Sequence, residues 1–308
     1  MAGSRQLRVL VTGGLGYIGG RLCHHLIQKG YDLAIHSRRT SGLPQWAAGS
    51  VFNHDPADEC RKEDVVIHLA GPNEIDAAAD SKGERKQAAE SIQRILAAAE
   101  TASVQNFIFF STIHVYGAPL EGVIDEGRPP SPSHPYGAIN LDGENFVQAS
   151  KLKTLVFRLS NVIGAPISPD INRWTLIGND LCRQAVETGK LTLHTPGQQR
   201  RDFIAMGDVV AAVSHFLERQ DWGEGLFQLG GGRSLSILEL AEVIASRCPS
   251  VLGFTPSIKR PEATVNQASP ILEYRIERLT ETGFIPAKNL SHEIDATLAF
   301  CKSAFAST

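Results

Sequence analysis

The sequence contains no Cys-x-x-Cys pair. Its five cysteines, Cys23, Cys60, Cys182, Cys248 and Cys301, are scattered along 308 residues. An odd, unclustered set argues against a disulfide framework and against a structural zinc site, and makes a reducing cytoplasm the expected compartment. Long apolar runs are missing as well. The stretch from Met1 to Arg8 has no secretory h-region, and the apolar segment behind it is too short to span a bilayer, so no membrane association is expected. Charge of one sign is not in excess: 30 Lys+Arg against 33 Asp+Glu leave a formal charge of -3, which gives no global positive field for nucleic acid. There is no Pro/Gly-dominated tract and no internal repeat. With 42% hydrophobic and 20% charged residues, the composition is that of a soluble globular chain. Its length leaves room for about two domains.

What is present is rhythm. The first half alternates short β-branched or aromatic runs with longer helical-period segments, as in a parallel sheet covered by helices. Strands are expected at Leu7–Thr12, Tyr31–His36, Val65–Leu69, Phe107–Ser111 and Thr154–Leu159, with a weaker one near Val51. Between the first two, Ile18, Leu22 and Leu26 recur every four residues and Gly30 stands at a helix C-cap, so an amphipathic helix lies there. After Asn161 the pattern changes. Gly164, Pro166, Pro169, Pro196 and Gly197 break the chain into loops around helical segments near Leu176–Glu187 and Leu235–Arg247. The expected class is α/β, a doubly wound parallel sheet with a smaller C-terminal α/β domain.

The first strand runs into Thr12-Gly13-Gly14-Leu15-Gly16-Tyr17-Ile18-Gly19, which satisfies both G-x-G-x-x-G and G-x-x-G-x-x-G. In a strand–loop–helix context, glycines permit unusual φ values, close approach of backbone to a pyrophosphate and tight helix–strand packing. Exposed N–H groups of Gly13, Gly16, Tyr17, Ile18 and Gly19 then face an anion. At the end of the second strand an acid would hold an adenosine ribose hydroxyl and repel a 2′-phosphate. The sequence there is Ile35-His36-Ser37-Arg38-Arg39, with no acid. Ser37, Arg38 and Arg39 offer donors for a phosphate, which favours NADP over NAD. Asp55 is placed to meet the adenine amino group, although an Asp before Pro56 also forms turns.

These motifs, together with Val66-Ile67-His68-Leu69-Ala70-Gly71, Phe110-Ser111-Thr112-Ile113-His114-Val115-Tyr116-Gly117, Pro135-Tyr136-Gly137, Arg158-Leu159-Ser160-Asn161, Arg201-Asp202-Phe203-Ile204 with Asp208-Val209-Val210, and Phe227-Gln228-Leu229-Gly230-Gly231-Gly232, resemble the extended short-chain dehydrogenase/reductase family. Within it, the likeness is to sugar-nucleotide epimerases, dehydratases and 4-ketoreductases, and it covers nearly the whole chain. The resemblance implies a Rossmann-type NADP-binding domain over residues 1–163 and a substrate-binding domain over 164–308, with some segments interleaved. It implies cofactor contacts from Leu69, Ala70 and Gly71, a homodimer, and a nucleotide-diphosphate sugar as substrate. Asn161, Arg201 and Arg260 match the positions that hold the diphosphate, although Arg201 beside Asp202 also reads as a surface ion pair. The segment Asn172–Leu176 does not reproduce the epimerase pattern, so the base is not named.

The resemblance also makes Thr112 the hydroxyl partner and Tyr136 the proton donor or base. Four residues after the tyrosine, where the family has lysine, stands Asn140. A free phenol titrates near pH 10, and each pH unit of lowering takes about 1.4 kcal/mol of charge stabilisation. Asparagine can hold ribose hydroxyls but contributes no charge. Tyr136 is therefore expected to be a usable acid and a poor base, which favours reduction of a 4-keto sugar over oxidation-first epimerisation or dehydration. Other readings stay open: His114 or His134 as a substitute cation, an oxidised nicotinamide supplying the charge, an epimerase or dehydratase with bound cofactor, or an inactive dinucleotide-binding protein. His24-His25 lie about 100° apart on a helix and do not chelate one metal together, and Lys82–Lys86 is a solvated face. That helix has Ala88 and Ser91 in place of the family's Asn-x-x-Gly-Thr.

Overall fold

The structure is a computed structural model that describes residues 7–39, 41–62, 64–219, 221–222, 225–262 and 270–306. Residues 1–6 of the amino-terminal stretch weighed above as a signal lie outside the described residues. The chain begins β1 (Arg8–Thr12), α1 (Tyr17–Gln28), β2 (Asp32–His36), β3 (Val51–Phe52), β4 (Asp64–His68), α2 (Glu74–Ala79), α3 (Ser81–Thr101) and β5 (Asn106–Thr112). It continues through β6 (Gly122–Ile124), α4 (Pro135–Ala149), β7 (Lys153–Leu159), β8 (Asn161–Ile163), α5 (Ile177–Thr188), β9 (Lys190–Thr192) and β10 (Arg200–Ala205). The remainder is α6 (Met206–Glu218), β11 (Leu226–Leu229), β12 (Ser234–Ser236), α7 (Ile237–Leu252), β13 (Ser257–Lys259), β14 (Leu272–Tyr274), α8 (Glu277–Glu281) and α9 (Leu290–Phe305). Two compact units result. The first comprises Met1–Ala118, Arg128–Leu159 and Phe216–Phe227, and the second Pro119–Gly127, Ser160–His215 and Gln228–Thr308.

The main sheet has the order β11-β7-β5-β4-β1-β2-β3, and its pairs from β7 to β3 are parallel. The chain winds outward from β1 through β2 to β3, returns to the other side of β1 at β4, and winds outward again. The strand order therefore reverses between β1 and β4. In such a Rossmann-like α/β sheet a crevice opens at the carboxyl ends of the two strands flanking the reversal. Because both faces carry helices, the strands are continuous apolar runs rather than alternating ones. Val9, Leu10 and Val11 are fully buried, as are Val66 and Ile67 of β4. Helix α1 buries Leu22 and Leu26, whereas Ile18 is only half-buried, one turn from the crevice. Its carboxyl end closes with Gly30 N–H on Ile27 O and Tyr31 N–H on Leu26 O, the pair of bonds that satisfies the last carbonyls.

In the second unit β8, β10 and β12 form a three-stranded sheet, β9 pairs with β13 and β6 with β14. Helices α5, α7 and α9 share a core that includes Leu181, Leu240, Ile244, Ile294 and Leu298. No helix among the described residues is long and apolar enough to cross a membrane.

One polar group sits deep in the first unit's core. His68, the last residue of β4, stacks on Phe107 and Phe109, and its Nδ1 lies 2.9 Å from Thr12 Oγ1. Burial pushes this imidazole down from 6.5 to about 4. The folded protein refuses a proton that the unfolded chain accepts, so this stabilisation is complete above pH 6.5 and is lost as the pH falls toward 4. In urea unfolding, H68N is expected to be less stable than wild type at pH 7. The gap should narrow by up to about 3 kcal/mol by pH 4, and a gap independent of pH would refute the assignment.

Candidate active site

The carboxyl end of β1 passes into the glycine turn. Gly13 takes φ 70°, and a Cβ there would stand 2.9 Å from Ala70 N, so the turn is pressed against the loop that follows β4. Thr12 Oγ1 joins the same two loops by accepting the Ala70 N–H at 3.3 Å. Gly16 is the N-cap of α1. No side chain caps this helix and no acid lies in its first turn, and the amino-terminal end of such a helix is suited to an anion. Leu69, Ala70 and Gly71 line the facing loop.

At the tip of β2, Ser37 is buried and its Oγ accepts the Arg39 N–H at 3.1 Å. His36 Nδ1 and Arg39 Nε are buried without a hydrogen-bond partner, a cost that a bound acceptor would remove. Arg38 is exposed beside them. Asp55 caps a short 3-10 turn, accepting the Ala57 N–H at 3.0 Å, and its second oxygen takes Arg94 Nη1 at 2.7 Å. Those partners hold its carboxyl below the ordinary range. The turn-forming reading of Asp55 is thus satisfied in full, and Arg94 is a partner that sequence inspection did not supply. The uncapped helix, the orphaned donors and the absence of an acid together fit a dinucleotide.

The strand β5 ends in Thr112, which caps the 3-10 turn Ile113–Tyr116 by accepting the His114 N–H on Oγ1 at 3.3 Å. Its hydroxyl proton is left to donate outward. Helix α4 begins alongside. His134 caps it, Nδ1 accepting the Tyr136 N–H at 3.2 Å, and Pro135 occupies the first helical position. A Cβ on Gly137 would lie 2.4 Å from His114 O. Only a glycine lets the helix and the turn approach so closely, and this brings the His114 and Tyr136 rings to 6.0 Å between centres, edge to face. Asn140 donates from Nδ2 to Tyr136 O at 2.9 Å, bonding back along its own helix. Thr112, Tyr136 and Asn140 are therefore gathered in one unit with the glycine turn.

Behind them lies a feature that the sequence did not announce. Glu144, two helical turns beyond Tyr136, is 1% exposed and forms a two-pronged ion pair with Arg158 of β7, Nη2 to Oε2 at 2.7 Å. Ser111 Oγ also donates to Glu144 Oε1, and Arg158 Nη1 donates to Tyr116 Oη at 2.9 Å. Burial works against the Arg158 charge, but the Glu144 carboxylate outweighs it and holds the guanidinium protonated, above its ordinary value. Arg158 was visible as a charge in an apolar strand; no local signal marks Glu144.

In the second unit, Arg201 and Asp202 are neighbours on β10 and do not pair. Asp202 is fully buried, accepting N–H groups from Gly231 at 2.8 Å and Arg233 at 3.0 Å, and burial pushes its carboxyl up to about 6. Asn161 donates to Asp202 O at 3.0 Å. Arg201 is half-buried, which draws its guanidinium below the ordinary value, and its hydrogen-bond partner is the neutral Gln199 amide at 3.1 Å. Among the described residues no carboxylate pairs with it, so the ion-pair reading of Arg201 is set aside. Arg200 takes that role with Glu239 at 3.1 Å. Arg260 is exposed and donates to Pro196 O at 3.1 Å.

Removing one partner of the buried pair strands a charge. E144L is expected to lower the free energy of unfolding by about 3–5 kcal/mol, with the double variant E144L/R158M less affected than the sum of E144L and R158M. Urea denaturation of the four proteins checks it, and additive losses would show the pair to be uncoupled.

Comparison with known proteins agrees with this architecture. A family model described as the NAD dependent epimerase/dehydratase family matches residues 9–230. The chain is 25% identical over 333 residues to a protein described as an uncharacterized UDP-glucose epimerase, YtcB of Bacillus subtilis, spanning 97% of this chain and 99% of that one. It is 27% identical over 263 residues to the dTDP-D-glucose 4,6-dehydratase of Mus musculus, spanning 78% and 72%. Among solved structures, MoeE5 in complex with UDP-glucuronic acid and NAD superposes with a TM-score of 0.79 at 24% identity, over 97% of this chain and 100% of that chain. The chain belongs to the NAD dependent epimerase/dehydratase family, the extended short-chain dehydrogenase/reductases.

Proposed function

We propose that the protein is a nicotinamide-dependent enzyme acting on a nucleotide-activated sugar, and that its favoured chemistry is reduction of a 4-keto group. The observation that carries this reading is Asn140. Its amide is bonded to Tyr136 O, and no ammonium stands at that position to draw the Tyr136 phenol toward neutrality. A phenol that keeps its proton is an acid. Thr112 orients the carbonyl through its free hydroxyl proton, and Tyr136 delivers a proton to the oxygen as negative charge develops there. The bound nicotinamide supplies the hydride. Asn140 contributes a carbonyl oxygen for the cofactor's ribose hydroxyls.

Arg201, half-buried without a carboxylate, supports a diphosphate in the substrate, with Asn161 and the exposed Arg260 as further donors. The relatives point the same way, being UDP- and dTDP-sugar enzymes by description. They also support a second reading, an epimerase or dehydratase that retains its cofactor and returns the hydride. For the cofactor, the β2 edge of Ser37, Arg38 and Arg39 supports NADP, while the family description and the NAD held by MoeE5 favour NAD. We take the NADP reading on that edge alone. A homodimer is proposed by family likeness only.

Two measurements separate these readings. Net oxidation of reduced cofactor by a 4-keto nucleotide sugar, lost about 10²- to 10⁴-fold in Y136F, supports the reductase. Isomerised or dehydrated product without net cofactor consumption overturns it in favour of the second reading. In thermal-shift titrations, R39A should weaken NADP binding about 10- to 100-fold and leave NAD unchanged. A larger shift with NAD than with NADP in the wild type would reject NADP.

A further inference from the structure

Resting on the reading of the protein as a dinucleotide-dependent enzyme, we infer that His36 is a cofactor ligand, its Nδ1 held for the group at the 2′ position of the adenosine ribose. His36 is the last residue of β2, the strand beside β1. Its Cα is in register with Thr12 on one side and with Phe52 of β3 on the other, and its carbonyl accepts the Gly14 N–H at 3.2 Å. The backbone of His36 is thus tied into the glycine turn. Its ring lies 5.6 Å from the Phe52 ring between centres, and Phe52 lies 4.7 Å from the His54 ring. In a dinucleotide the ribose joins the pyrophosphate to the base, and in a sheet of this kind the tip of the second strand is where a ribose hydroxyl is held. The acid that would hold it is absent from Ile35-His36-Ser37-Arg38-Arg39, and the imidazole stands beside the gap.

The second observation is a buried atom that nothing inside the protein satisfies. Among the described residues Nδ1 of His36 has no hydrogen-bond partner, and Arg39 Nε, three residues on, is in the same state. Ser37 between them differs, because its Oγ already accepts the Arg39 N–H. A buried polar atom without a partner destabilises the fold, so a position that required only volume beside Phe52 would be better filled by an aliphatic side chain. The charged groups around the ring are Asp55, which favours the imidazolium, and His54 and Arg38, which oppose it; burial outweighs all three and favours the neutral form. A neutral imidazole offers one N–H and one lone pair, while Arg39 Nε can only donate. The ligand group that meets both is oxygen: the 2′-hydroxyl of an NAD ribose, or the phosphate that NADP carries there.

The test uses the full-length protein and calorimetric titration at pH 7 with ADP, 2′,5′-ADP and 2′-deoxy-ADP, probes that carry no nicotinamide and undergo no reaction. Wild type should bind at least one of the first two about 10-fold more tightly than 2′-deoxy-ADP. In H36L that preference should shrink to about twofold, through weaker binding of the nucleotide bearing the 2′ group and unchanged binding of the deoxynucleotide. The nucleotide that loses more identifies the source, ADP for NAD and 2′,5′-ADP for NADP. Without nucleotide, H36L should melt about 1–3 °C above wild type, since the unsatisfied atom is gone. Removing a side chain with a purely structural role has the opposite sign. H36N, which keeps a polar group close to the place of Nδ1, should retain the preference and gain no stability. Equal weakening of all three nucleotides in H36L, no 2′ preference in wild type, or an H36L protein less stable than wild type each overturns the proposal and leaves the cofactor reading standing. Failure of wild type to bind ADP, 2′,5′-ADP, NAD and NADP alike rejects the cofactor reading and the proposal with it.

Discussion

The first unit depends on one buried ion pair. Arg158 on β7 and Glu144 on α4 tie a strand of the sheet to the helix that carries Tyr136, and through Ser111 and Tyr116 they reach β5 and the turn that carries His114. Two charges removed from water this completely gain little net stability, because desolvation offsets most of their attraction. What they fix is register. Helix α4 cannot slide or rotate against β7 without stranding a charge, so the phenol, the Thr112 hydroxyl and the imidazole hold a set geometry relative to the end of the sheet. A reacting group displaced by about 1 Å can cost 10²-fold in rate, and the pair guards against that displacement.

The chemistry in front of this scaffold follows from which charges are present. Substituting an amide for an ammonium removes the force that would ionise the phenol, and the amide turns back to its own helix. On the proposed reading, the remaining polar groups favour giving a proton over taking one. The dinucleotide cradle imposes no direction of its own. An uncapped helix and a glycine turn bind oxidised and reduced cofactor through the same phosphates. On the proposed reading, direction is decided at α4, by the residue four places after Tyr136.

Much of this was legible in the sequence because it is written locally. The long strands of the main sheet are continuous apolar runs, and each lies within a residue of its expected limits. The glycine turn announces itself through residues that no other backbone could replace. The short strands of the second unit were not seen. At three residues each, β8, β9, β12, β13 and β14 offer no period to detect. Glu144 was missed because a glutamate in a helix ordinarily faces water, and its partner is 14 residues away on another element. The same holds for Arg94, which meets Asp55 only because α3 packs over the 3-10 turn. The cap that His134 places on the Tyr136 N–H was not seen for a related reason, since closeness in sequence does not say which ring nitrogen a helix terminus claims.

The alternation of side chains along β10 has a consequence for how the protein could diverge. Adjacent residues of opposite charge are sent to opposite faces of the strand, so Asp202 secures the Gly230–Gly232 turn while Arg201 meets the neutral Gln199 amide and, among the described residues, no carboxylate. With Arg201 in the proposed diphosphate role, exchanging it would alter what the molecule recognises without loosening its frame. Exchanging the aspartate would loosen the frame wherever recognition stood. On that proposal a single dipeptide separates heritable variation in specificity from variation in foldability.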